Sequence, residues 1–171
     1  MPHQHASQPD RLPAAMRASV VTSPGTPAAN KVRLRRLLKF LMNKATHGAG
    51  QCWDEVSLVL TNDSGIREVN CLHLGHDDST DVISYSFDPL PGQSPRDASG
   101  EIYINVELAQ RVGTRFGGAS RELALYIAHG CDHLSGEDDS TPDKRQRMRR
   151  RELRWLAEAS RLNLLTGLLA S

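Results

Sequence analysis

The stretch from Ser120 to Asp139, SRELALYIAHGCDHLSGEDD, sets two histidines one helical turn apart and then runs into a cluster of acids. Leu123, Ile127, Gly130, Cys131 and Leu134 recur at the spacing of a buried helix face, which predicts a packed helix here. His129 and His133 lie off that face and, being four apart, point the same way, with Glu122 and Tyr126 continuing their stripe toward the helix start. Ser120 is the expected N-cap and Gly136 the expected stop. Beyond Gly136 the chain can turn back over the last turn and bring Glu137, Asp138 or Asp139 beside the imidazoles. Paired histidines at this spacing also occur on ordinary solvated helix ends. The glycine and acids at fixed offsets favour a metal site, because a catalytic zinc takes three protein ligands and keeps a fourth position for water.

The segment HGCDHLSGEDD resembles the HGxLHLxGxDH signature of the YbeY family, the bacterial endoribonucleases and rRNA maturation factors whose three histidines bind zinc. The resemblance implies one zinc per chain, with His129 and His133 as ligands and Asp139 at the position of the family's last histidine. The spacing is also similar to the extended zinc motif of metzincin peptidases, in which an aspartate can replace the third histidine. Asp132 stands where the family has an apolar residue. Further upstream, VNCLHLGHDDSTDV falls on the family pattern LNxxYRxxDxPTDV, so that His73 and Leu74 occupy the tyrosine and arginine positions. Leu74 cannot handle a phosphate. His73 or His76 is a candidate proton donor or phosphate contact in its place, and the backbone of the TDVIS strand around Ser84, or Arg67, is a further source of phosphate contacts. A peptidase of the HExxH kind needs a general base beside its first histidine, where this chain has Gly130.

At 171 residues and 39% hydrophobic content, the chain suits one domain with a real core. Residues 1–29, rich in Pro, Ala, Ser and Gln, are expected to form a disordered tail, in which His3 and His5 have no preorganised geometry. Residues 30–171 are expected to form a single metal-binding domain. Helices are expected over about 30–46, from an Asp63 cap through Leu72, over 107–116 and from Pro142 to about Ala159. Strands are expected over 56–60, 80–87 and 100–106, with an exposed connection DPLPGQSPRDAS. The resemblance implies an α+β fold, a small mixed β-sheet covered by helices with the metal site on a central helix in a zincin-like arrangement, across roughly residues 31–160.

The net charge of +1 decides nothing about a polyanionic partner, but its distribution is uneven. The first helix carries six basic residues and no acid, and residues 143–161 hold eight basic residues against three acids. Such a cluster can neutralise phosphates, although a solvated helix face has the same composition. Cys52, Cys71 and Cys131 make no disulfide framework, and the chain has no secretory segment or run long enough to span a bilayer, which fits the cytoplasm. Cys131 sits two residues from each histidine and so faces the core. The closing LNLLTGLLAS is too short to span a membrane and either packs back or frays.

The resemblance therefore implies a zinc-dependent, single-strand-specific endoribonuclease. Its expected work is maturation of the 3′ end of small-subunit rRNA and ribosome quality control, with rRNA and the small ribosomal subunit as partners. Two other readings are a metal-containing assembly factor without catalysis, which the loss of the arginine would permit, and a peptidase-like metal hydrolase acting on another substrate.

Overall fold

The computed structural model describes residues 15–47, 52–89, 91–92 and 98–169, and the side chain of Leu74 lies outside the description. The described elements, in order, are β1 (Arg17–Thr22), α1 (Lys31–Ala45), β2 (Glu55–Thr61), α2 (Asp63–Leu74), β3 (Val82–Phe87), β4 (Ser99–Asn105), α3 (Val106–Gly113), α4 (Ala119–Leu134) and α5 (Pro142–Arg161). They form a mixed four-stranded sheet in the order β1-β2-β4-β3, with β1, β2 and β4 parallel and β3 antiparallel to β4. The α+β expectation holds.

Alternation in EVSLVLT and SGEIYIN places Val56, Leu58 and Leu60 beside Gly100, Ile102 and Ile104 in the ladder, and all six are buried. One face of the sheet is thus apolar, and α4 lies on it between α1, α3 and α5. The contact is closest at Gly130. A Cβ there would stand 2.4 Å from the Ile102 side chain, so only glycine lets α4 sit this low on β4. The same approach leaves no room for the glutamate of a peptidase motif, which would point into the sheet.

The expectation of an unpacked tail through residue 29 is corrected over residues 17–29. β1 pairs with β2 from Arg17↔Glu55 to Thr22↔Leu60, held further by Arg17 on Asp54 at 2.7 Å and Ser19 on Ser57 at 2.7 Å. Val20 is the one buried apolar side chain of this edge strand, so its stability comes from a distant ladder that local periodicity does not reveal. The rest of the expected tail, residues 1–14 with His3 and His5, lies outside the described residues, as does most of the 88–99 connection.

Two caps differ from expectation. Asn62, not Asp63, caps α2 by accepting from the Gly65 amide at 2.9 Å. α4 starts one residue before Ser120, behind Gly118, without a side-chain cap. α5 begins at Pro142 behind Thr141, as the sequence suggests. The C-terminal segment packs back: Leu168 is fully buried, its carbonyl accepts from the Asn30 amide at 2.8 Å, and Leu169 bridges Ala29. Among the described residues, no helix is long and apolar enough to cross a membrane.

Candidate metal centre

His129 and His133 project from the exposed side of the last two turns of α4, with their Nε2 atoms 3.0 Å apart. The chain then reverses at Gly136, which has φ +91°, a conformation that side-chain-bearing residues avoid. Amides of Gly136 and Glu137 donate to the His133 and Asp132 carbonyls at 2.9 and 3.2 Å, fixing the return. The Asp139 carboxylate arrives 3.8 Å from His129 Nε2 and 3.9 Å from His133 Nε2. Donor atoms of the three residues lie within 4.8 Å of one another.

Of the acids that spacing left open, Asp138 is turned away, toward Lys144 and the Ser140 hydroxyl and amide, and these contacts hold its carboxyl well below the usual range. Glu137 reaches Arg151 at 3.1 Å. Asp139 alone of the three faces the histidines.

The ring orientations are fixed from behind. His129 Nδ1 meets the Glu152 carboxylate at 2.7 Å, and His133 Nδ1 donates to the Glu137 carbonyl at 3.1 Å. Protons held at both Nδ1 atoms leave two Nε2 lone pairs facing each other, an arrangement that a cation between them stabilises. Tetrahedral zinc with bonds near 2.1 Å needs donors about 3.4 Å apart. The two Nε2 atoms stand 3.0 Å apart, close to that value, while Asp139 meets His129 through Oδ2 at 3.8 Å and His133 through Oδ1 at 3.9 Å. Two imidazole nitrogens and one carboxylate oxygen, within 4.8 Å of one another, thus fit the ion once Asp139 closes on it.

Glu152 is a residue that sequence reasoning missed. It is 1% exposed, within the stripe Met148, Glu152, Trp155, Leu156 and Ala159 that α5 turns to the core. A lone acid at an apolar-stripe position was the available signal. Asp132 also proves structural: 1% exposed, it takes the Arg151 guanidinium in a fork with its shortest contact at 2.7 Å. Burial pushes its carboxyl up to about 6, against the opposing pull of Arg151. Arg151 is therefore an internal tie between α4, α5 and the ligand loop, not a free cation. Cys131 is fully buried, and burial raises its thiol far above the usual range, consistent with its core-facing position.

Two clefts reach the histidine pair. One is lined by Asn70, Thr80, Val82, Ile83 and Ser84 and ends at His133. The other holds Asp81, Glu122, Tyr126, Arg145 and Arg149 around His129 and Asp139. Ser84 therefore lies at the site, its hydroxyl donating to the Gly130 carbonyl at 3.3 Å. His73 and His76 line neither cleft among the described residues. His73 is exposed at the end of α2 with its ring 5.2 Å from that of Tyr85, and His76 is exposed in the following loop. Arg67 is forked onto Asp77 at 2.7 Å in a separate concavity with Asp63 and Arg111, which removes it as a phosphate contact at the histidines.

An α+β domain that gathers two histidines and a carboxylate on one helix and its return loop has the build of a metal-dependent hydrolase. The family model for Endoribonuclease YbeY matches residues 25–160, and the chain belongs to that family of nucleases. An Endoribonuclease YbeY of Salinibacter ruber is 32% identical over 124 residues, covering 70% of this chain and 79% of that one. One of Desulforamulus reducens is 34% identical over 125 residues, covering 70% and 82%. A solution structure of a Thermotoga maritima protein aligns with a TM-score of 0.58 over 91% of this chain and 97% of that one, at 20% identity, a likeness of fold.

Proposed function

We propose that this chain is a zinc-dependent endoribonuclease that cuts single-stranded RNA. Its work is maturation of the 3′ end of small-subunit rRNA and ribosome quality control in the cytoplasm, in association with rRNA and the small ribosomal subunit. The observation that carries the reading is the histidine pair: two Nε2 atoms 3.0 Å apart, both rings anchored through Nδ1, with Asp139 alongside. His129, His133 and Asp139 hold one zinc per chain. When bound, the ion supplies Lewis-acid chemistry and an acidified water for hydrolysis. Glu152 keeps the His129 ring in the liganding tautomer, and the Glu137 carbonyl does the same for His133. Ser84 shapes the wall along which a strand reaches His133. His73 and His76 contact RNA outside the clefts, where an exposed imidazole can meet a phosphate.

Family membership favours this reading over a peptidase, and so does Gly130, packed on β4 where a peptidase would need its base. The absence of an arginine at position 74 specifically favours the second reading, an assembly factor without turnover. Purified protein, zinc-loaded or chelated, incubated with single-stranded and duplex RNA and tested for co-sedimentation with small ribosomal subunits, separates the two. Chelator-sensitive cutting confined to the single strand is expected. Co-sedimentation without cutting establishes the assembly factor.

A further inference from the structure

The cleft at His129 is rich in acids. Asp81, Glu122 and Asp139 line it, and Glu152 stands behind the ring. A divalent ion offsets only two of these four charges, so an entering phosphodiester needs further positive charge. The same wall supplies it from α5, through Arg145 and Arg149. They are four apart on one helix face. Arg145 leans on the ligand loop, its Nη2 donating to the Asp139 carbonyl at 3.4 Å. Arg149 is exposed and enters no ion pair among the described residues, while Met148 before it and Glu152 three positions after it are each 1% exposed and fix the backbone that carries it. Arg151 is committed to Asp132 and Glu137, and Arg147, Arg150 and Arg154 do not line the cleft.

We propose that Arg149, with Arg145 beside it, binds the non-bridging oxygens of the RNA phosphate at the metal cleft. The inference rests on the nuclease reading above. A guanidinium suits the task because its fork matches two phosphate oxygens and it stays charged in an acidic surround.

The test compares neighbouring arginines that contribute equally to net charge. Arg149→Gln should retain one zinc per chain and lower metal-dependent cleavage of single-stranded RNA by about 10–100-fold, with partial recovery in Arg149→Lys. Arg150→Gln should lower it by no more than about threefold, the effect of a distant phosphate contact. Equal losses in the two glutamine variants, or no loss in Arg149→Gln of an active enzyme, overturn the assignment. If the zinc-loaded wild type cuts no RNA, the nuclease reading fails, and the clamp is decided on binding instead. The probe is then a 2′-deoxy oligonucleotide of the same sequence, read by fluorescence anisotropy. A tenfold weakening in Arg149→Gln alone supports the clamp, and equal affinities of the two variants refute it.

Discussion

The Glu152 carboxylate is buried on α5 and, among the described residues, its one hydrogen-bond partner is the Nδ1 of His129, so its contribution is what it does to that ring. Glu152→Gln should lower zinc affinity by about 10–100-fold, measured by competition with a chromogenic chelator, while the fold persists. The neighbouring acids separate by the same assay. Asp139→Ala should lose the metal and Asp138→Ala should keep it, because Asp138 is already held by Lys144 and Ser140. Asp63 carries a pH dependence of its own. The Arg111 guanidinium first, then the Asn105 amide, lower its carboxyl below the ordinary value. A carboxyl depressed in the folded state adds stability above its unfolded pKa of about 4, and that stability is lost as pH falls through the folded value. Its side chain is 37% exposed, so the contribution at neutral pH is below about 1 kcal/mol. Melting temperatures of wild type and Asp63→Asn should therefore differ at pH 7 and converge as the pH is taken below about 4.

At the scale of elements, α5 joins roles that composition cannot tell apart. Arg151 ties the buried Asp132 to the ligand loop, and Arg149 looks into the cleft, though both belong to one run of three arginines. Arg151→Ala should destabilise the protein by about 3 kcal/mol, since it leaves a buried carboxylate unpaired. Arg151→Ala combined with Asp132→Leu should recover most of that loss, and a urea-unfolding double-mutant cycle measures the coupling. Failure of the pair to recover would mean that Arg151 acts mainly through Glu137 or through its packing near Trp155. The helices α1, α3, α4 and α5 and the strands β2 and β4 were readable from periodicity, because each buries an apolar face of its own, whereas α2 and β3, which bury little, were readable from local capping and β-rich composition. Likewise His129, His133 and Asp139 were readable because all three lie on one short local frame. β1 and Glu152 were not, since each owes its place to a partner distant in sequence: β2 for the strand, and the ring of His129 for the acid.

For the whole molecule, metal and fold are linked by mass action. Zinc at about a thousand times its dissociation constant should add roughly 4 kcal/mol, which for a domain of this size is a rise of about 10 °C in melting temperature. A thermal melt with and without chelator checks it, and the rise should vanish in His129→Ala. Neutralising Arg149 and Arg150 together should also flatten the salt dependence of RNA binding, measured as the slope of log affinity against log salt. Arg151 is left out of that pair because its charge is spent inside the fold.

The bond between His129 and Glu152 spans 23 positions, and the acid sits in α5, made after α4. On a chain emerging from a ribosome, the histidines and Asp139 are therefore made before the residue that sets the tautomer of the first ring. Until α5 has been synthesised and docked, the ligands exist without their orienting partner. Completion of the candidate metal centre is thereby tied to the synthesis and docking of α5, not of α4 alone.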